Sequence, residues 1–302
     1  MHMSSSRLTA IRFDESERRS GRALPQNVAA AVRAVQETGA VYLENVFDTA
    51  FIAQLRDDYV ARHGRYFKED LYDDVLHVGN RRMMISIEVS GLFNQPLLYA
   101  NPLLFPVLQE LLGPRFIMGG FGSVISLPGA RAQHIHRDHP ELFGDFDYQH
   151  RVPCFALTMA IPMIDMNMQT GTTRLVPGSH RAPVERAKTM AWLDPLAPVG
   201  SVLIWDYMLY HGGTANTSDR VRPLLYFTYC RPWFRDSANY STQDPVRVPE
   251  QEFARIPDQL KPMFQWTMPR TRHDWSKTPP NMPCPCVSGR LFKDCHGRRV
   301  TE

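Results

Sequence analysis

Four residues stand at spacings that suggest redox chemistry at a metal. His136 and Asp138 are two positions apart, His211 lies far downstream, and Arg222 follows eleven residues later. Two histidines and a carboxylate are the ligand set of a non-haem Fe(II) facial triad, which leaves coordination positions open for substrates. Side chains alternate across an extended strand, so positions i and i+2 share a face. An extended His136-Arg137-Asp138 segment therefore offers two ligands to one metal, and the third comes from elsewhere in the fold. The planar guanidinium of Arg222 suits a carboxylate gripped bidentately. A co-substrate that chelates iron at one end and carries a free carboxylate at the other needs such a residue nearby. Arg220 is a rival for that role, because a strand would place it on the same face.

A second ligand set is written over the first. His134-Ile135-His136 followed by Glu141 resembles the metal-binding run of cupins, and in that reading Asp138 is a spectator. It leaves Arg222 without a purpose, so the facial triad accounts for more of the residues.

The elements that must position these groups change in texture along the chain. Pro25–Thr38 carries apolar residues near helical spacing, Gly39–Leu43 reads as a short strand, and Asp48–Tyr59 as a second helix. Asn101-Pro102 and Gly113-Pro114 bracket a further helix. From Phe116 onward the pattern is β, with apolar runs at Phe116–Leu127, Phe155–Ile164, Arg174–Val176, Val202–Tyr210 and Leu224–Tyr229 punctuated by Pro and Gly. Such a series of short strands predicts a mainly β protein with flanking helices, a double-stranded β-helix or jelly roll of the cupin-like kind, with the triad at one mouth of the barrel.

At these residues the chain resembles the phytanoyl-CoA dioxygenase (PhyH) family of Fe(II)/2-oxoglutarate oxygenases. The matching words are Gln133-His134-Ile135-His136-Arg137-Asp138, Gly171-Thr172-Thr173-Arg174-Leu175-Val176-Pro177-Gly178-Ser179-His180, and His211-Gly212-Gly213 through Arg222-Pro223. The resemblance runs from about Gly39 to about Tyr240 and implies an oxygenase domain over residues 1–265. It also implies that His136, Asp138 and His211 ligate iron and that Arg222 clamps 2-oxoglutarate. Thr173 is expected to aim its hydroxyl at the co-substrate, and Gln133 to donate a hydrogen bond to it. The implied reaction consumes O2, decarboxylates 2-oxoglutarate to succinate and CO2, and oxidises a C–H bond, by default hydroxylating it. A carboxylate ligand at Asp138 fills the position that halogenating relatives leave open for chloride. Aromatic and Met residues in irregular segments (Tyr66, Tyr72, Met83, Met84, Phe93, Phe143, Phe146, Trp233) point to a small apolar or mixed organic substrate, as in secondary metabolism.

The C-terminus carries a second ligand set, Cys284-Pro285-Cys286 followed by Cys295-His296. Three thiolates and an imidazole suffice for a tetrahedral, structural zinc. The pattern resembles the SEC-C motif, although Val287 stands where that motif usually has Gly, and it predicts a zinc knuckle over residues 278–302. From Trp266 to Glu302 seven basic residues face three acidic ones, an excess of +4 that leaves the remainder at −1. The tail is therefore the part expected to meet an acidic protein or a nucleic acid. No apolar run approaches the roughly 18 residues of a membrane span, and the polar N-terminus lacks the core of a signal peptide; the expectation is a cytoplasmic protein. Two further functions fit parts of the sequence: a cupin-like metalloenzyme that uses no 2-oxoglutarate, and an interaction protein that docks through its basic zinc tail.

Overall fold

The computed structural model describes residues 8–68, 72–144, 146–149, 151–239, 245–267, 278–282, 284, 290–295 and 297. The chain divides into two compact units, Met1–Thr267 and Met268–Glu302.

The first unit is built on an eight-stranded sheet. Its strands are β1 (Ala10–Arg12), β2 (Ala40–Glu44), β3 (Leu76–Gly79), β4 (Arg82–Ser86), β5 (Ile117–Ser126), β6 (Ala156–Pro162), β8 (Val202–Asp206) and β10 (Arg222–Cys230), while β7 (Thr173–Leu175) and β9 (His211–Gly213) form a small second sheet. The spatial order of the large sheet is β1-β2-β8-β6-β10-β5-β4-β3. Apart from the parallel β1–β2 pair, all pairings are antiparallel. Isolated bridges extend the small sheet on both sides, Leu175 to Leu193 and His211 to His136. Two unequal layers thus face one another, a large curved sheet and a narrow strip: the jelly roll expected from the spacing of the apolar runs.

The two faces of the large sheet carry different side chains. Along β6, Leu157, Met159 and Ile161 enter the main core, while Ala156, Thr158 and Ala160 point the other way. The large residues pack with Val41, Leu43, Leu225 and Phe227 against the helices Pro25–Thr38 and Thr49–His63. The small residues leave room between the layers. On that inner side a smaller apolar cluster, including Leu175, Leu203, Trp205, Leu209 and Leu224, closes one end. The helix Thr49–His63 is capped by the Asp48 side chain on the Ala50 N–H, and its Tyr59 hydroxyl donates to Ser123 on β5 at 2.9 Å. The bracket at Asn101 and Gly113 holds, but the first four residues form a turn and the helix is Phe105–Leu112. The stretch Lys68–Phe93, without pattern in the sequence, supplies β3 and β4 at the sheet edge.

A candidate iron centre between the two layers

His136 and His211 stand directly opposite each other across an antiparallel bridge and exchange both main-chain hydrogen bonds, each 2.8 Å. Residues so paired present their side chains on one face. Asp138 joins that face by the i+2 rule. The ligand atoms of His136, Asp138 and His211 all lie within 4.8 Å of one another.

Each ligand is held by other groups. The Nδ1 of His136 lies 3.0 Å from the His134 carbonyl, and that of His211 lies 3.0 Å from the Leu209 carbonyl. A carbonyl can only accept, so both Nδ1 atoms carry the proton and both Nε2 atoms are left as donors of a lone pair. The Asp138 Oδ2 accepts from the Thr158 hydroxyl at 2.7 Å and the Trp205 indole N–H at 3.2 Å. Its Oδ1 stands 3.3 Å from His211 Nε2. The carboxylate is thereby oriented to offer one oxygen. Burial lowers the His136 pKa, and the neighbouring His211 adds to this. Burial acts on His211 in the same direction, but the Asp138 carboxylate outweighs it and raises the pKa overall. Asp138 shows the complement: burial would raise its pKa, but His211 and the Thr158 hydroxyl hold it low. In the absence of metal, a proton on His211 is therefore the competitor for the site.

The rival cupin set is not assembled. His134 is exposed, and Glu141 is paired with Arg137 at 3.0 Å.

Deeper between the layers lie two buried guanidinium groups. Arg222 opens β10 and is 1% exposed, whereas Arg220 lies before the strand and is exposed. Among the described residues no carboxylate pairs with Arg222; its Nη1 meets the Met166 sulfur at 3.4 Å and its Nε has no partner. Arg82, not singled out by the sequence reading, is equally buried, and Ser126 separates the two across the sheet. Its Nη2 donates to the carbonyls of Thr214 (2.7 Å) and Arg131 (3.3 Å), and its Nε is also unpartnered. Burial and the Arg222 charge bring its pKa down to about 10. Burial also lowers the pKa of Arg222. Two buried cations with no carboxylate against them among the described residues are costly.

Arg82 reaches this place because β9 ends in glycine. A Cβ on Gly213 would overlap Arg82 Nη1 and stand 2.8 Å from Gln133 Oε1. Gln133 spends its amide on the fold: Nε2 donates to the Val78 carbonyl at 2.6 Å, and Oε1 accepts from the Gly213 N–H at 2.8 Å. It braces the pocket wall with these bonds. Thr173 is 1% exposed beside Tyr226, which carries the burial-raised pKa of an enclosed phenol. The Thr173 hydroxyl closes no well-formed hydrogen bond. Of the aromatic and Met residues proposed for the substrate pocket, Tyr66, Met83 and Phe93 are core residues instead, and the Phe146 side chain lies outside the described residues.

The jelly roll thus carries a two-histidine, one-carboxylate cluster that could hold a metal ion and two buried arginines. The chain belongs to the phytanoyl-CoA dioxygenase (PhyH) family, whose model matches residues 35–224. It is an Fe(II)/2-oxoglutarate-dependent dioxygenase. A SEC-C motif matches residues 281–298. Among curated proteins, Dioxygenase cdmA of Talaromyces verruculosus is 24% identical over 269 residues, covering 80% of this chain and 84% of that protein. The iron/alpha-ketoglutarate-dependent dioxygenase penM of Penicillium thymicola is 28% identical over 206 residues, 64% of this chain and 65% of the relative. Two solved structures share the fold. AviO1 from Streptomyces viridochromogenes Tue57 has a TM-score of 0.55 at 21% identity, over 68% of this chain and 95% of its own. The epimerase SnoN in complex with Fe3+, alpha ketoglutarate and nogalamycin RO has a TM-score of 0.57 at 15% identity, over 74% and 94%.

In the second unit the Phe292 N–H donates to the Met282 carbonyl and the Cys284 N–H to that of Arg290, both at 2.8 Å. A 3-10 turn, Phe292–Asp294, leads to Cys295, whose N–H returns to the Phe292 carbonyl at 3.0 Å. Cys284 is buried and Cys295 half-buried. Cys286 and His296 lie outside the described residues. No helix among the described residues is long and apolar enough to cross a membrane.

Proposed function

We propose that this dioxygenase hydroxylates a C–H bond of a small, largely neutral organic molecule, with iron held by His136, Asp138 and His211 and with 2-oxoglutarate held by Arg222 and Arg82. The observation that carries this reading is the pair of buried guanidinium groups with no carboxylate partner among the described residues, together with a cluster whose ligand atoms lie within 4.8 Å of one another. Iron with 2-oxoglutarate bound supplies the O2-activating centre; the protein supplies geometry, charge and exclusion of water. The two histidines offer fixed Nε2 lone pairs. Thr158 and Trp205 restrict Asp138 to one oxygen, which leaves coordination positions open. Arg222 and Arg82 meet the distal carboxylate of 2-oxoglutarate in a dry site, where the attraction is strong. The Thr173 hydroxyl, buried beside Tyr226, would donate to the same carboxylate.

The substrate class follows from the remaining inner face. Met84, Ser86, Gly120, Val124, Tyr226 and Thr228 are half-buried there, at alternating positions of β4, β5 and β10. They bring thioether, methyl, phenol and hydroxyl groups and no charge, so an apolar body with hydroxyl or carbonyl substituents fits. A structural neighbour solved in complex with nogalamycin RO is in keeping with a secondary-metabolite substrate. Asp138 occupies the position a halide would need, which favours hydroxylation over halogenation.

The tail is proposed to hold one structural zinc through Cys284, Cys286, Cys295 and His296, all four positions filled by protein. Its basic excess favours an acidic partner.

Anaerobic addition of Fe(II) and then 2-oxoglutarate tests the central reading. The expected result is a weak visible charge-transfer band that saturates at one equivalent, followed on exposure to O2 by stoichiometric succinate. A protein that binds metal but neither binds 2-oxoglutarate nor releases succinate is instead a cupin-like enzyme of another chemistry.

A further inference from the structure

The segment that follows β10 reaches back to the metal cluster from a distance in sequence. Asp236 is 3% exposed, and its Oδ2 accepts from the Tyr207 hydroxyl and from Asn239 Nδ2, both at 2.7 Å. Its Oδ1 accepts from the Asn239 main-chain N–H at 2.8 Å. The same Asn239 Nδ2 donates to the Asp138 main-chain carbonyl at 2.7 Å, while the Asp138 N–H is bonded to the Tyr207 carbonyl at 3.2 Å. His139, next to Asp138, lies with Nε2 3.8 Å from Asp236 Oδ1 and its ring against Phe234. These bonds close a ring: Asp138 to Tyr207, Tyr207 to Asp236, Asp236 to Asn239, and Asn239 back to Asp138. Trp233, on the same segment, is mostly exposed and packs against Phe155.

We propose that Asp236 and Asn239 are positioning residues for the iron site, a clasp that fixes the backbone of Asp138 and so couples metal affinity to the seating of the segment 231–239. The inference rests on Asp138 being an iron ligand. Thr158 and Trp205 determine where the carboxylate points, but they act through one oxygen and leave the main chain free to rotate about it. The clasp removes that freedom by holding both main-chain polar groups of the residue. A ligand that stays oriented before metal arrives loses less conformational freedom on binding, and outer partners of this kind are typically worth 10–100-fold in metal affinity. Asp236 is buried, and its bonds reach Asp138 through Tyr207 and Asn239.

The test uses the full-length protein with zinc retained on the tail and the iron site emptied, titrated with Co(II) and read by its visible absorption, with the melting temperature measured in parallel. Asn239→Ala removes the bond to the Asp138 carbonyl at a half-exposed position, so the fold should survive. The expected result is Co(II) affinity reduced about tenfold and an altered band shape, with the melting temperature of the iron-free protein unchanged. Asp236→Asn should weaken affinity by a similar factor, and the double variant by little more than either alone, because the two act as one unit. Asp138→Ala is the control. If it leaves Co(II) binding intact, the assignment of the iron site is wrong. If it abolishes binding while Asn239→Ala and Asp236→Asn bind Co(II) as the wild type does, the iron site stands and the clasp is refuted. Loss of melting temperature with unchanged affinity likewise refutes it and leaves a purely structural role.

Discussion

Replacing Arg222 by Met separates a binding arginine from a structural one, because the two roles predict opposite signs. Arg222 is 1% exposed, has no carboxylate partner among the described residues, and its Nε bonds to nothing. In the free protein its charge is a burden: burial lowers its pKa, and Arg82 nearby, brought to about 10, is held charged at a cost of about 3 kcal/mol. Met has similar reach, no charge, and suits the thioether of Met166 that Arg222 now touches. Exchanging a poorly compensated buried charge for a packed apolar side chain is often neutral or stabilising. The melting temperature of the ligand-free Arg222→Met protein should therefore stay level or rise. Binding of 2-oxoglutarate should behave oppositely. Removing one partner of a buried charge pair costs about 3–5 kcal/mol, a loss of about a hundredfold to a few thousandfold in affinity. The assay is anaerobic titration of the Fe(II) protein with 2-oxoglutarate, together with melting curves. Wild type at a hundred times its Kd should gain about 2.7 kcal/mol from the ligand, and the variant at that same concentration about 0.4 kcal/mol or less. Arg220→Met, altering an exposed side chain, should leave both readings near wild type. A variant that melts well below wild type yet binds 2-oxoglutarate normally would show that Arg222 holds the fold together, and the anion receptacle would be refuted.

Gly213→Ala should reproduce much of the binding defect without touching any charge, since its Cβ needs the space of the Arg82 guanidinium; 2-oxoglutarate affinity at least tenfold weaker is the expected outcome, and unchanged affinity would remove Arg82 from the receptacle. Replacing His136, Asp138 or His211 by Ala should abolish iron-dependent succinate formation, because a facial triad has no spare ligand; an active Asp138→Ala enzyme would revive the cupin set. Metal affinity should fall in mild acid. His211 has a raised pKa in the metal-free protein, so its pairing with Asp138 stabilises that state below the ordinary histidine range and is lost as pH rises through the raised value. Metal must displace that proton, so Co(II) titrations of the protein with zinc retained on the tail, at successive pH values, should show weakening that sets in above the usual histidine pKa; a flat profile would contradict the His211–Asp138 pairing. Deleting residues from Thr278 onward should remove zinc, measured by metal analysis, and leave succinate formation near normal; loss of turnover in a folded truncation would place the tail in the active site.

The sequence alone determined the class of chemistry. It singled out His136, Asp138, His211 and Arg222 because metal ligation and carboxylate recognition permit few residue types, and because the i+2 spacing follows from the strand period. The β-rich second half and the first helices were legible for a similar reason: apolar periodicity is local, and Pro and Gly mark its breaks. What sequence could not show is how distant segments meet. That His136 and His211 are immediate cross-strand partners depends on register between strands far apart in the chain. Arg82 carries no sequence signal, since an arginine before three apolar residues reads as a surface charge; only the closing of β4 onto β5 and the bare Gly213 backbone make it a buried cation beside Arg222. Gln133, expected to face the co-substrate, is drawn into the backbone bonds of Val78 and Gly213 because β3 folds over it. Arg220 and Arg222 are equivalent by spacing, yet the strand begins at Arg222 and leaves Arg220 in solvent. Ligand identity is thus a property of residue type and local period, whereas ligand environment is set by which buried polar groups the tertiary packing leaves without partners.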